Sequence, residues 1–239
     1  MPEPERAAVA CLVLWAPALD RAELRGLMSA EERARYERFA EPFDRARFAT
    51  ARALVRTAMG RATGVAPDLV RFDRRCRYCG GPHGKPRVPG TAVRFSLSHS
   101  GGRVVLALAE HAEPGVDVER ISARQIGRLA PRVLSARELR DLEAVPPADR
   151  PAAYHVYWTR KEAVLKAVGR GLSSSLRGIT VSGPDRPAEL TEWKADFGPP
   201  AIAMSDLRPG PGYAAALAVE TSGPIDLTER HLDDPLEVP

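Results

Sequence analysis

The sequence predicts a mixed α/β (α+β) fold for this chain of 239 residues. Short apolar or alternating runs, typical of strands, are interspersed with longer segments that carry apolar residues at helical spacing. A weak internal echo adds a third observation, since residues 102–110 (GRVVLALAE) resemble residues 212–220 (GYAAALAVE). Alanine-rich strands also match by chance, so duplication and coincidence both stay open. A true duplication would give two similar α/β halves that meet near residue 112.

The first half is expected to contain a strand, two helices, a loop and two further strands. The apolar run 8–15 predicts a buried strand. Ser29 and Glu32 form a capping-box pattern that opens a basic helix over 31–39. Apolar spacing predicts a second helix over 44–63, which ends at Gly64. The Gly- and Pro-rich residues 76–90 predict a loop, and strands are expected over 93–97 and 103–109.

The second half is expected to mix strands and helices in a similar way. Residues 115–119 (GVDVE) alternate like a half-buried strand. A helix is predicted over 136–143, and another from Tyr154 or Thr159 to Val168, with strands over 178–182 and 213–220. The predicted units are therefore residues 1–112, residues 113–222 and an acidic, proline-containing flexible tail over 223–239.

The composition narrows the classes of protein to consider. Hydrophobic residues make up 44% and charged residues 28%, and the apolar runs fall well short of the ~20 residues of a membrane span. The acidic N-terminus is unlike a signal peptide, so a cytoplasmic location is expected. Three cysteines argue against a disulfide framework. The net charge of +4 suits an anionic cofactor, an acidic protein or nucleic acid.

Asp117 and Glu119 are the first candidates for chemistry. Residues two apart on a strand point to the same face, and the two carboxylates would lie about 6–7 Å apart. Paired acids at this spacing suit a hard cation such as Mg²⁺, which prefers oxygen ligands. The alternative is a solvated strand face near a sheet edge.

Glu162 and Lys166 are the second candidates. They are four residues apart and would share a helix face. A structural interpretation is available, since Thr159 and Glu162 match a capping box and Glu162 with Lys166 would form an exposed ion pair. The functional interpretation is that the acid binds a metal while the lysine binds a phosphate.

Two loop-flanking stretches complete the candidates. His99 lies among hydroxyl residues in SLSHSGG (96–102), at the end of a predicted strand, where ligands often bind. The stretch CRYCGGPHGKP (76–86) has three interpretations. Cys76, Cys79 and His83 could bind zinc or do redox chemistry, the glycines beside Lys85 could hold a phosphate, or the segment could be a plain turn.

The order of these blocks resembles the Sfp-type 4′-phosphopantetheinyl transferase family. HGKP, SLSHSGG, GVDVE and WTRKEAVLKAVGRGL follow one another over residues 83–172 with similar separations. The basic helix 31–39, with Arg47 and Arg52 after it, also resembles the N-terminal region of the family. Glu32 departs from the pattern, because some relatives have lysine there, and Ser96 stands where many have asparagine.

The resemblance implies a fold, an activity and a set of roles. The fold would be two similar halves related by a pseudo-twofold axis, with the active site at their interface. The enzyme would move the phosphopantetheine arm of coenzyme A to a serine of an apo acyl or peptidyl carrier protein, with Mg²⁺ as cofactor and 3′,5′-ADP as the other product. Neither nucleic acid nor a membrane would be a partner, and the form would be a monomer.

The resemblance also assigns residues, which fall into three groups. Asp117, Glu119 and Glu162 would hold the metal. Glu162 and Lys166 would be catalytic, with Glu162 accepting the serine proton directly or through water. The residues that would contact the coenzyme are Arg35, Gly84, Lys85, Pro86, Ser98, His99, Asp117 and Lys166.

Two other classes of protein are alternatives. One is a zinc-binding module built on Cys76, Cys79 and His83, for which the sequence marks no fourth ligand. The other is a coenzyme A-binding protein that has lost catalysis, which the intact acids and Lys166 disfavour.

Overall fold

A computed structural model describes residues 7–124, 126–169, 175–194 and 201–239. The chain is mixed α and β, as predicted. Its helices are α1 (Ala22–Gly26), α2 (Ala30–Glu37), α3 (Pro42–Thr63), α4 (Ile126–Val133), α5 (Ala136–Ala144) and α6 (Arg150–Val168). Its strands are β1 (Val9–Pro17), β2 (Val93–Ser100), β3 (Arg103–Glu110), β4 (Pro114–Arg120), β5 (Ile179–Val181), β6 (Leu190–Trp193), β7 (Ile202–Asp206), β8 (Tyr213–Glu220) and β9 (Ile225–His231).

The first sheet has the strand order β2-β3-β1-β9. The central strand β1 is antiparallel to β3 and parallel to β9. Apolar residues of α3, among them Leu54, Val55 and Met59, pack against one face of this sheet. The predicted capping box is present at the start of α2, where Ser29 and Glu32 each bond to the other's backbone, and Gly64 ends α3 with a φ of 69°.

The expectation of a flexible tail over 223–239 is wrong. Residues Ile225–His231 form β9, and Glu229 accepts a hydrogen bond from the Trp15 indole at 3.0 Å. Val238 is buried against the core of α3 and the first sheet. The alternation of Ile225 and Leu227 with polar residues places one face of β9 on a second core, formed by strands of both sheets, and the other face in solvent. The tail therefore completes the first sheet.

The second sheet has the order β4-β8-β7, and α6 packs across it. The strand pair β5-β6 forms a small separate sheet. Both halves of the chain follow the same order, which is a strand, short helices, a long helix and later a strand antiparallel to the first. The two antiparallel strands, β3 and β8, carry the internal echo. The limits proposed for the two halves stay a prediction.

Helix α6 begins at Arg150, upstream of both predicted starting points. Thr159 therefore lies in its middle, and the predicted Thr159–Glu162 capping box is wrong. The Thr159 hydroxyl donates instead to the His155 carbonyl at 2.9 Å, a bond that removes the penalty of burying it. The end of the fourth sequence block, residues 170–172, lies outside the described residues.

Gly115 explains how closely α6 approaches β4. A Cβ at this position would lie 2.0 Å from the Ala163 carbonyl oxygen and 2.3 Å from the Ala167 backbone nitrogen. Since neither backbone atom can rotate away, only glycine fits. The GVDVE glycine thus brings the strand that carries two acids against the helix that carries the third.

A row of serines on β2 joins the two halves. Ser96 accepts a hydrogen bond from the Val116 backbone nitrogen at 3.0 Å, Ser98 donates to Asp117 at 2.8 Å, and Ser100 donates to Glu119 at 2.7 Å. Residues two apart on a strand share a face, so the three hydroxyls all point toward β4.

Among the described helices, none is long and apolar enough to cross a membrane.

Candidate active site

The three predicted metal ligands come from two neighbouring elements. Asp117 and Glu119 lie on β4, and Glu162 lies on α6, which packs on that strand. Asp117 is buried, while Glu119 and Glu162 are half-buried. Their carboxylate oxygens do not all lie within 4.8 Å of one another.

Burial and mutual repulsion destabilise the ionised form of these acids. Burial raises the pKa of the Glu162 carboxyl, and the neighbouring Asp117 charge raises it further. Burial also raises the pKa of Glu119, against the lowering effect of its Ser100 hydrogen bond. Asp117 Oδ2 and Glu162 Oε1 are buried without a hydrogen-bond partner. Unpaired buried carboxylate oxygens are destabilising unless a cation or a proton compensates them, so this donor set fits a hard divalent cation.

Lys166 binds on the strand side of this group. Its ammonium lies 2.6 Å from Asp117 Oδ1, 2.9 Å from the Ser98 hydroxyl and 3.0 Å from the Val116 carbonyl. The structural alternative of an exposed Glu162–Lys166 pair on one helix does not describe this arrangement, because the lysine is bonded to the neighbouring strand. Lys161, in the same sequence block, is fully buried and pairs with Glu138, which is a structural role.

A cavity of about 380 Å³ adjoins Lys166 and lies between the two halves. Loop residues His83–Pro86 line one side, Ser96, Leu97 and His99 of β2 line another, and Leu165, Lys166 and Gly169 close it from the second half. Five of the predicted coenzyme contacts meet here: Gly84, Lys85, Pro86, His99 and Lys166. The cavity is large enough for a small-molecule ligand and mixes apolar walls with cationic groups.

Ser98 and Asp117 are absent from the cavity wall and lie behind it. The Ser98 hydroxyl donates to Asp117 and accepts from Lys166, so in this structure it connects the acid and the lysine. Its neighbour Ser96 reaches the cavity wall instead. The predicted contact between Ser98 and a phosphate stays a prediction.

Lys85 and Gly84 have partners that the sequence did not indicate. The Lys85 ammonium lies 3.0 Å from Glu113 and donates to the Pro114 carbonyl at 2.5 Å, while burial lowers its pKa. A Cβ on Gly84 would lie 2.5 Å from the Arg75 carbonyl oxygen. The close backbone approach that requires this glycine is thus made within the loop itself.

Arg35 lies outside the cavity. It is exposed on α2, with its guanidinium 5.5 Å from the centre of the Phe48 ring. Arg52 of α3 lines the cavity in its place, and Glu32 lies 3.6 Å from it. Arg52 thus contributes charge to the cavity and also pairs with Glu32, the residue that departs from the family pattern.

His99 presents a neutral ring to the cavity. Loss of solvation lowers its pKa, and the Arg47 charge lowers it further. A histidine with a pKa below its usual 6.5 is uncharged at pH 7 and gains a proton more readily once an anion lies beside it. His99, Arg52 and Lys166 together make the cavity receptive to phosphate.

Comparison with known proteins identifies the family of this chain. A sequence model of the 4′-phosphopantetheinyl transferase superfamily matches residues 113–218. The 4′-phosphopantetheinyl transferase HetI of a Nostoc species is 33% identical over 221 residues, which cover 88% of each chain. The 4′-phosphopantetheinyl transferase of Bacillus subtilis is 32% identical over 155 residues, which cover 64% of this chain and 66% of that one.

Among solved structures, the holo-[acyl-carrier-protein] synthase of Thermotoga maritima aligns with a TM-score of 0.35 and 22% identity, over 45% of this chain and 61% of that one. The sequence relatives carry the assignment, because the match to HetI extends over most of both chains. The chain belongs to the 4′-phosphopantetheinyl transferase superfamily.

Proposed function

We propose that this protein transfers the phosphopantetheine arm of coenzyme A to a serine of an apo carrier protein, with Asp117, Glu119 and Glu162 holding Mg²⁺. The observation that carries this is the pair of buried, unpartnered oxygens, Asp117 Oδ2 and Glu162 Oε1, close to a phosphate-receptive cavity between the halves. Membership of the superfamily supports carrier-protein modification with coenzyme A as donor.

The reaction is a phosphoryl transfer. The serine oxygen of the carrier forms a bond to the phosphorus that bears the pantetheine, and the bond from that phosphorus to the bridging pyrophosphate oxygen breaks. The products are the phosphopantetheinyl serine, 3′,5′-ADP and the serine proton. Such reactions depend on positioning and charge neutralisation more than on covalent catalysis. When bound, Mg²⁺ would neutralise pyrophosphate charge and stabilise the leaving oxygen.

The protein's own groups account for binding and proton transfer. Lys166 is held by Ser98, the Val116 carbonyl and Asp117, so its charge is fixed at the cavity edge, where it would bind phosphate oxygens. His99 and Arg52 would bind the remaining phosphate groups. Glu162 would accept the serine proton, directly or through water.

Exposed arginines on α4 and α5 favour an acidic carrier as the second substrate. Arg128, Arg132, Arg137 and Arg140 all reach solvent there, and charge of one sign speeds the encounter with a partner of the opposite sign. We place the carrier on this surface and propose that the enzyme acts as a cytoplasmic monomer.

The test is the intact mass of a carrier protein after incubation with the enzyme, coenzyme A and Mg²⁺. The carrier should gain the mass of one phosphopantetheine arm, and a chelator should prevent the gain. Asp117→Asn and Glu162→Gln should abolish it without unfolding the protein. Glu110→Gln, which changes an exposed acid on β3, is the matched control and should keep full activity. Unchanged mass across several apo carriers would refute the proposed function.

A further inference from the structure

Cys76, Cys79 and His83 form a cluster that the transfer reaction does not use. Their sulfur and ring-nitrogen atoms all lie within 4.8 Å of one another, and Cys79 Sγ lies 3.0 Å from His83 Nε2. Among the described residues, no other group of three or more potential metal-binding side chains lies so close together. Cys76 is buried, whereas Cys79 and His83 are exposed.

The backbone between the cysteines is built to bring the two sulfurs together. The Cys76 amide donates to the Gly81 carbonyl at 2.7 Å, and the Gly80 amide donates back to the Cys76 carbonyl at 2.8 Å. Gly80 has a φ of 73°, which glycine adopts without strain. A side chain at Gly81 would come within 3.0 Å of the His83 ring. The tight turn and its two glycines thus leave room for the three ligand side chains on one side.

We propose that Cys76, Cys79 and His83 bind one Zn²⁺ per chain. Two thiolates and an imidazole are soft and borderline donors, which favour Zn²⁺ over the hard cation suited to the acids of the active site. Zinc takes four ligands, and the exposure of Cys79 and His83 leaves the fourth position open to water. Binding displaces the two thiol protons to solvent. Zinc binding at this site does not require the transferase activity proposed above.

The metal would brace the loop that lines the cavity. The loop segment His83–Pro86 forms one cavity wall and starts at a zinc ligand. The Gly84 amide donates to the Arg74 carbonyl at 2.7 Å, and this backbone hydrogen bond joins the residues on either side of the cluster. A cross-link between the two arms of this loop reduces the conformations open to it before ligand binding, which favours a preformed site.

The same loop also contacts the second half of the protein. Arg77, between the two cysteines, donates to the Val168 carbonyl at 2.7 Å and pairs with Glu220 at 3.0 Å. The Tyr78 hydroxyl donates to the same carbonyl at 2.9 Å. A metal at the cluster would therefore hold both the cavity wall and its attachment to the end of α6.

Metal binding is tested on the full chain, purified with a non-thiol reductant and freed of metal. Titration with Zn²⁺ should show one equivalent bound per chain, and Co²⁺ should give the near-ultraviolet charge-transfer absorption of cobalt–thiolate bonds. Cys79→Ser, an exposed substitution, should lose most of the cobalt–thiolate absorption and the stoichiometric binding of zinc. Cys11→Ala, which removes a buried cysteine of β1, should retain both.

Hydrogen exchange gives a second readout that does not involve catalysis. Zn²⁺ should slow exchange at the Cys76, Gly80 and Gly84 amides, whose bonds close the turn. It should leave the rates in α5 unchanged, and the Cys79→Ser protein should show no zinc effect. The inference is overturned if the reduced wild-type chain binds no zinc, if Cys79→Ser binds it equally well, or if the two cysteines are isolated only as a disulfide. Transferase activity can be present or absent in each case, so failure here is distinguishable from failure of the proposed function.

Discussion

Substituting Gly115 by alanine tests how the acids are brought together. The added Cβ would lie 2.0 Å from the Ala163 carbonyl oxygen, so α6 and β4 must separate by at least about 1 Å to restore a contact of 3.0 Å. Overpacking of a close-packed interior costs ~1–3 kcal/mol, and a clash with helix backbone belongs at or above the upper end. We therefore expect the free energy of unfolding to fall by about 3 kcal/mol.

The same displacement should reduce activity beyond the loss of stability. Ala163 follows Glu162 in the chain, and Gly115 lies two residues before Asp117. Separating helix and strand moves these two acids apart, and a misplacement of ~1 Å can cost about 100-fold in rate. We expect kcat to fall by that order in protein shown by circular dichroism to be folded.

Urea unfolding and steady-state transfer kinetics provide the measurements. Gly26→Ala is the control, because a Cβ there meets no atom within 4 Å, and it should change the free energy of unfolding by less than ~0.5 kcal/mol. A Gly115→Ala protein with wild-type stability and kcat would refute the argument that this glycine sets the distance between α6 and β4.

Three further predictions concern charge, docking and the C-terminal strand. Glu162→Gln should abolish transfer. It should keep or raise the free energy of unfolding, because it removes a charge whose buried oxygen has no hydrogen-bond partner. A large loss of stability in urea would contradict this prediction. Reversing Arg137 and Arg140 to Glu should raise the KM for the carrier several-fold with kcat little changed. The control Arg61→Glu, at another exposed arginine, should leave this KM unaltered. Equal effects of the two changes would contradict the proposed docking surface. Deleting residues 225–239 should lower the free energy of unfolding by at least ~3 kcal/mol, because several apolar side chains, each contributing ~1.5–3 kcal/mol, leave three packed clusters. An unchanged urea midpoint would contradict this prediction.

Much of the fold could be predicted from local patterns. The segments that form β1, α3, β2 and β3 each carry apolar residues at strand or helix spacing. Gly64 and Gly169 end helices in the left-handed conformation. Strand β9 was missed because its acidic and polar residues suggested a tail. The alternation of Ile225 and Leu227 was the available signal, but its meaning depends on a partner strand far away in the chain.

The site was predictable in its residue types and less so in its contacts. Asp117, Glu119 and Glu162 do come from facing elements. The partners of Lys166 and Ser98, however, lie 49 and 19 residues away, distances that no local spacing encodes. The choice of Arg52 over Arg35 for the cavity follows from the packing of α2 on α3, where Glu32 lies beside Arg52. Such contacts are decided by the arrangement of elements in space.

The pairing of β1 with β9 has a consequence for the order of folding. The two strands are joined by contacts such as Trp15 to Glu229, which are 214 residues apart. During synthesis the ribosome completes β1 long before β9 exists, so β1 stays an unpaired edge strand of the first sheet until the whole second half has emerged. Contacts this distant slow folding and leave the open edge exposed to other chains. A chaperone that covers β1 at this stage would act on the nascent protein rather than on the finished enzyme.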